Sequence, residues 1–223
     1  YVFLILLMAM SMILIGCLPL SFVGTSTEEV LASRQTESPP PEKVVSEEPV
    51  EQHVEYLIGE RTPSGGFVFY DKGSYKDGWR YMEVAPVETE KGPMAWIGGV
   101  HELKGTSPDI GEGEKNTALI VSIAGKEGSY PALLCDSLVH NGFDDWFFPS
   151  NDELSLVYKN LITTGMGDFV PDQYGYHNFW SSTVDTSGEN FYAFAFYMNS
   201  SNGLLSGANR AFPANYVRAV RKF

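Results

Sequence analysis

The sequence has little cysteine, little positive charge and no apolar run long enough to cross a membrane. Its two cysteines are Cys17 and Cys135. Because Cys17 directly follows the apolar leader described below, outside the folded domain, no disulfide can join two structural residues. The 15 lysines and arginines face 28 acidic residues, which leaves a formal net charge of −13. An acidic surface repels phosphates and anionic headgroups, so nucleic acid and direct lipid-surface binding are disfavoured.

The N-terminus carries an uncharged, mostly apolar run, residues 2–15, that leads into the tetrapeptide Leu14-Ile15-Gly16-Cys17. A run of about 14 residues has the length of a signal-peptide h-region and falls short of the roughly 20 that span a bilayer. The tetrapeptide is similar to the lipobox of bacterial lipoproteins, which implies that residues 1–16 are removed and that Cys17 is lipidated. A transmembrane anchor is the alternative. The chain opens without methionine or a basic n-region, so its natural start is expected upstream.

Residues 17–55 are predicted to form a disordered tether behind the lipid. The segment 25–54 contains four prolines, seven acidic residues and two basic ones, with no aromatic residue. Such a composition buries too little apolar surface to offset the entropy of ordering. At ~3.1 Å per residue, 30 extended residues could reach roughly 90 Å, which would lift a folded domain off the membrane.

The folded domain is predicted to span residues 56–223 and to be of the α+β class. Two aromatic and β-branched runs, 66–70 and 79–85, predict a hairpin. Helices are expected in the middle: one after a cap at Asn116, one beginning at Pro131, and one behind the capping box of Ser150 and Glu153. Strand-like runs follow at 179–183, 191–198 and 216–221. Strands at both ends of the domain suggest that they meet in one antiparallel sheet.

Several blocks of the sequence, in order, resemble one bacterial family, that of the C-terminal domain of the Legionella collagen-like adhesin. The resemblance covers nearly all of residues 65–223. It is carried by the blocks Gly65-Gly66-Phe67-Val68-Phe69-Tyr70-Asp71, Gly78-Trp79-Arg80-Tyr81-Met82-Glu83-Val84-Ala85-Pro86, Asn116-Thr117-Ala118, Asn141-Gly142-Phe143-Asp144-Asp145-Trp146-Phe147-Phe148-Pro149-Ser150, Asp152-Glu153-Leu154, Trp180-Ser181-Ser182 and Val217-Arg218-Ala219-Val220-Arg221.

The resemblance implies a C-type-lectin-like fold, in the branch that includes formylglycine-generating enzymes. It also implies ligand binding at a cell surface, with a polysaccharide, a glycosaminoglycan or a host surface protein as the partner. The enzymatic branch would need cysteine chemistry. Cys135 is predicted to lie on the apolar face of a helix, so a buried structural thiol is the favoured interpretation and catalysis is not expected.

No cofactor is predicted, and calcium is the one metal considered. Asp144 and Asp145 could supply oxygen ligands, as could the acidic loop of Asp109, Glu112 and Glu114, but turn chemistry and a solvated loop explain them more simply. The four histidines have no zinc-type spacing. The calcium signatures of C-type lectins, Glu-Pro-Asn and Trp-Asn-Asp, are absent from the sequence.

The C-terminal strands and loops are the predicted ligand-binding region. Aromatic residues alternate along 192–198, and asparagine and serine dominate the loops beyond, a combination suited to recognising sugars. An aromatic face turned to the core, with the polar residues serving only as turns, is the alternative. The predicted ligand-binding residues are Trp180, Ser182, Tyr192, Tyr197, Asn199, Asn202, Asn209, Arg210 and Asn215.

A cluster of cations near the C-terminus, formed by Arg210, Arg218, Arg221 and Lys222, could bind sulfate or carboxylate groups, or could be strand-edge charge. Taken together, the sequence predicts a non-catalytic lipoprotein of the bacterial cell envelope, lipid-anchored at the outer membrane or cell surface, that binds a ligand through its C-terminal loops. An enzyme of the formylglycine-generating branch and a structural envelope lipoprotein are the two alternatives.

Overall fold

The computed structural model describes residues 54–97, 103–169, 178–184, 194–199, 203, 205–209, 211, 213 and 215–223. They belong to one compact unit, Gln52–Phe223. The leader and nearly all of the tether predicted above lie outside the described residues. Within the described ranges, no helix has the length and apolar character that crossing a membrane requires.

In the described residues, three strands, three helices and five further strands follow one another. They are β1 (Phe67–Lys76), β2 (Trp79–Val84), β3 (Lys91–Met94), α1 (Gly113–Ala124), α2 (Pro131–Asp136), α3 (Asn151–Asn160), β4 (Asn178–Val184), β5 (Phe194–Asn199), β6 (Leu205–Asn209), β7 (Asn215–Val217) and β8 (Val220–Lys222). Short 3-10 turns cover Val87–Thr89 and Ile162–Thr164. The α+β class predicted from the sequence is confirmed.

The two ends of the domain meet in a three-stranded sheet of order β1-β2-β8. The predicted hairpin is present, with Phe67 opposite Val84, and β8 adds antiparallel to β2 with Arg221 opposite Glu83. The N- and C-terminal strands therefore pair with each other, as the sequence suggested.

Not all of the strands lie in that antiparallel sheet: a second sheet has the order β3-β7-β4-β5-β6, and in it β4 and β7 run parallel. The run 216–221 was expected to be a single strand. It divides at Arg218 and Ala219, so β7 enters the five-stranded sheet and β8 the three-stranded one. The Ala85 amide donates to the Ala219 carbonyl at 2.9 Å, which fixes the chain where it passes between the sheets.

The ends of the helices have local causes. Ser150 and Glu153 form the predicted capping box of α3, and Gly125, at φ +82°, ends α1. Helix α1 begins at Gly113, so the predicted cap Asn116 lies inside it. Helix α2 begins at the predicted Pro131 and ends at Asp136.

The core lies on both faces of the five-stranded sheet. Trp180 and Trp96 lie in the larger cluster, with α1 and α2, while Phe179 and Met198 pack with Leu154 of α3. Strand β4 is thus buried on both of its faces, as expected for the central strand of the sheet. A third cluster packs the β1–β2–β8 sheet against α3 through Phe69, Met82 and Val157, among others.

Candidate ligand-binding site

Polar residues of the sequence blocks form buried contacts that hold the scaffold together. Glu83, with no exposed surface, accepts hydrogen bonds from Thr62 and, at 2.7 Å, from Ser64. Arg221 donates to Glu83 at 2.8 Å and to Asp145 at 2.7 Å. Burial disfavours the charge of Arg221, but its hydrogen bonds to Asp145 and Glu83 outweigh that effect and raise its pKa. This ion pair joins β2 to β8.

Glu153 serves the first turns of two helices. Its carboxylate accepts from the backbone amides of Ser150 at 2.7 Å, Gly111 at 2.8 Å and Gly113 at 3.3 Å. Ser150 is the N-cap of α3, and Gly113 is the first residue of α1. Burial raises the pKa of Glu153 to about 7, although these backbone hydrogen bonds and Lys222 act in the opposite direction.

The hydroxyl groups of β4 attach the central strand to the helices. Asn116 of α1 donates to the Ser182 hydroxyl at 3.0 Å, and the Ser181 hydroxyl donates to Asn151 of α3 at 2.8 Å. The backbone amide of Asn151 donates in turn to the Thr183 hydroxyl. These serines are therefore structural, which leaves no exposed hydroxyl at this position to act as a nucleophile.

Three of the four cations near the C-terminus lie in the described residues, and they differ in their partners. Arg218 is 3% exposed and donates to the carbonyls of Ala85 and Gly167, whereas its buried Nη1 has no partner among the described residues. Burial lowers its pKa to about 10, against the opposing effect of Glu90. Arg221 is engaged as described above, and Lys222 pairs with Glu114 at 2.8 Å. Arg221 and Lys222 therefore form ion pairs within the domain.

One end of the five-stranded sheet brings together asparagines from three strands; we call it the asparagine end, and it consists of Asn178, Asn199 and Asn215. Strands β4 and β7 begin there and β5 ends there. The backbones of Asn178 and Asn199 are opposite each other in the β4–β5 pairing. Phe179 is opposite Tyr216 in the parallel β4–β7 pair. One step back along both strands therefore places Asn178 beside Asn215, at a strand spacing of roughly 4.8 Å.

Two amide atoms at the asparagine end have no hydrogen-bond partner among the described residues. They are Nδ2 of Asn215, a donor, and Oδ1 of Asn178, an acceptor, and both atoms are buried. Asn215 is only 2% exposed, whereas Asn178 is half-buried. A buried polar atom without a partner costs about 1–3 kcal/mol, so each of these two atoms would be stabilised by a hydrogen bond.

Gly203, which lies between β5 and β6 in the sequence, packs against Tyr158 of α3. At φ +68°, an added Cβ would overlap the Tyr158 ring. Only glycine fits such a position without a shift of its surroundings.

The structure brings together only some of the predicted ligand-binding residues. Three of them, Tyr192, Asn202 and Arg210, lie outside the described residues. Tyr197, Asn199 and Asn209 are placed by their backbone pairing alone, Tyr197 opposite Trp180 and Asn209 opposite Phe194.

Trp180 and Ser182 have no exposed surface and are corrected to core residues. Trp180 donates to the Met94 carbonyl at 2.8 Å, and Ser182 accepts from Asn116. Asn215 is buried, and its Nδ2 donor has no partner among the described residues. Asn178 was not among the predicted ligand-binding residues, although the sequence places it directly before a strand-like run.

Three residues considered for catalysis or metal binding are buried or form ion pairs within the domain. Cys135 is 2% exposed, and burial raises the pKa of its thiol, which keeps it protonated. Asp145 pairs with Arg221, and Glu112 with Lys115. No group of three or more potential metal ligands is present in the part of the chain that the structure describes.

Comparison with known proteins does not extend this description. No protein-family model matches the chain, and no curated protein matches it.

Proposed function

We propose that this chain is a lipid-anchored, non-catalytic protein of the bacterial cell envelope whose folded unit binds a polysaccharide at the asparagine end. The C-type-lectin-like fold and the kinship with the Legionella collagen-like adhesin domain belong to the same proposal. The observation that carries it is the presence, on neighbouring strands, of a buried amide donor on Asn215 and a buried amide acceptor on Asn178, neither of which has a partner among the described residues. Sugar hydroxyls both donate and accept hydrogen bonds, so they match such a pair.

The scaffold beneath the site supports the proposal. The polar residues of the blocks around Glu83, Ser182 and Arg221 make buried contacts between elements distant in sequence. They hold the sheet in place rather than contact a ligand. A rigid sheet that presents polar groups at one end loses little entropy when a ligand binds there.

The binding test uses the full chain in detergent on an array of polysaccharides, together with a pull-down of host surface proteins. We expect at least one polysaccharide to bind. Replacing Asn178 or Asn215 by alanine should weaken binding about tenfold or more, because each change removes one hydrogen bond to the ligand. Ser122→Ala, on the exposed face of α1, is the control and should bind normally.

Two outcomes would contradict the binding proposal. One is capture of host protein with no binding to any polysaccharide. The other is undiminished polysaccharide binding by both asparagine variants, with the melting temperatures of all the variants matched to that of the natural chain.

The lipid anchor is tested separately by metabolic labelling with a palmitate analogue. We expect label on the natural chain and none on Cys17→Ser, since Cys17 is the acylated residue in the lipobox interpretation. Cys135→Ser serves as the matched control and should keep the label, because Cys135 is buried in the folded unit. Label that persists on Cys17→Ser would contradict anchoring at that residue.

A further inference from the structure

We infer that the asparagine end takes an uncharged, hydroxyl-bearing glycan and discriminates against sulfated and carboxylated ones. The inference rests on the proposed function, because it names the ligand class of the same site. It follows from three features of the structure: the kind of polar atoms available, the charge of the site, and the engagement of the nearby cations.

The two unpartnered atoms at the site are complementary to a group that both donates and accepts a hydrogen bond. Nδ2 of Asn215 must give a hydrogen and Oδ1 of Asn178 must receive one. A hydroxyl does both, whereas sulfate and carboxylate oxygens only accept and an ammonium only donates. An anionic group placed there would satisfy Asn215 and leave Asn178 buried against negative charge.

The two asparagines lie on neighbouring strands, whose backbones are roughly 4.8 Å apart. Because Asn178 is half-buried and Asn215 fully buried, the pair extends from the surface into the interior.

The charge of the site favours a neutral ligand. None of the described residues that form or adjoin the asparagine end, Met94, Asn178, Asn199, Gly203 and Asn215, carries a charge. The whole chain has a formal net charge of −13, which repels polyanions. A sulfated chain would have to approach this field without a compensating local cation among these residues.

The two arginines near the C-terminus of the domain are poorly placed to serve a sulfated ligand. Arg221 donates to Glu83 and Asp145. Recruiting Arg221 to a sulfate would leave Glu83 buried without its ion-pair partner, a cost larger than an exposed sulfate contact returns. Arg218 is 3% exposed and donates to two carbonyls, and its Nη1, which has no partner among the described residues, is buried as well.

The first experiment measures equilibrium binding of the full chain to neutral polysaccharides, each paired with its chemically sulfated form, with dextran and dextran sulfate among the pairs. At 0.15 M salt, the neutral form that binds best should bind at least tenfold more tightly than its sulfated counterpart. Its affinity should change less than twofold between 0.15 and 0.5 M salt, because no ion pair is made.

The second experiment uses an asymmetric pair of variants. Asn215→Asp removes the donor, so neutral binding should fall about 10- to 100-fold. Asn178→Asp keeps the acceptor, so neutral binding should stay within about threefold of that of the natural chain. Asn141→Asp adds the same charge at an exposed turn position and should leave binding unchanged. If the two asparagines mattered only for folding, loss of the amide donor in Asn215→Asp and retention of the acceptor in Asn178→Asp would not lead to different affinities.

The outcomes separate the inference from the proposed function. Binding to sulfated forms that equals or exceeds neutral binding, and that falls as salt rises, overturns the inference and leaves a polysaccharide-binding protein. Full neutral binding by Asn215→Asp, or equal losses in both site variants, also overturns it. Binding to no polysaccharide of either form overturns the proposed function and the inference with it.

Discussion

Replacing Arg221 by methionine should lower the free energy of unfolding by about 3–5 kcal/mol, which is among the largest effects expected in the domain. The change leaves Glu83 fully buried without its 2.8 Å ion-pair partner, and Thr62 and Ser64 cannot compensate a charge. It also removes a side-chain link between β2 and β8, since Glu83 and Arg221 are opposite each other in the two strands. Urea unfolding monitored by circular dichroism measures the loss.

Two further variants show whether the uncompensated charge is the cause. Glu83→Gln combined with Arg221→Met should recover much of the stability, because no buried charge remains. Arg61→Met is the matched control: Arg61 pairs with Asp168 at a half-exposed position, so its loss should be below about 1 kcal/mol. A double variant no more stable than Arg221→Met alone would contradict the ion-pair explanation.

Glu153→Ala should destabilise the domain by about 2–4 kcal/mol, because one substitution removes the acceptor for amides at the start of α1 and α3. The amides of Gly111, Gly113 and Ser150 would each lose a buried partner. Circular dichroism at 222 nm should show the two helices fraying before the sheet unfolds. Glu114→Ala, the control, removes an exposed acid from the first turn of α1 and should cost less than about 1 kcal/mol.

The same residue predicts how stability depends on pH. Burial raises the pKa of Glu153 to about 7 from 4.5, and that of Glu90 likewise to about 7. Between pH 4.5 and 7 the folded state holds protons that the unfolded state has released. The stability that the carboxyl groups of Glu153 and Glu90 contribute to the folded state is therefore fully present below pH 4.5 and is lost as pH rises through 7. Glu153→Gln, neutral throughout, should flatten this decline, and a curve as steep as that of the natural chain would contradict the assignment.

Local signals predicted the elements of the fold well. The capping box of α3 needs only Ser150 and Glu153, three positions apart, and Gly125 ends α1 by its own backbone conformation. The second role of Glu153 was not visible, because Gly111 and Gly113 lie about forty positions away in sequence. A pairing over that separation depends on the tertiary fold, which no local pattern specifies.

The site was harder to predict than the fold, for the same reason. Charged residues are mostly exposed, so Arg218 and Arg221 were expected at the surface, whereas their partners, such as Glu83, come from the far end of the domain. Asn215 was predicted from the composition of its loop. Asn178 becomes its neighbour only through the parallel pairing of β4 with β7.

The central claim is that a ligand makes contact through the amides of Asn178 and Asn215. It is tested most directly by side-chain ¹⁵N–¹H spectra of the full chain, recorded while the best-binding neutral polysaccharide is added. We expect the side-chain amide signals of these two asparagines to shift first and furthest, in step with binding. Shifts confined to the β1–β2 hairpin, with both amide signals unmoved at saturation, would contradict it.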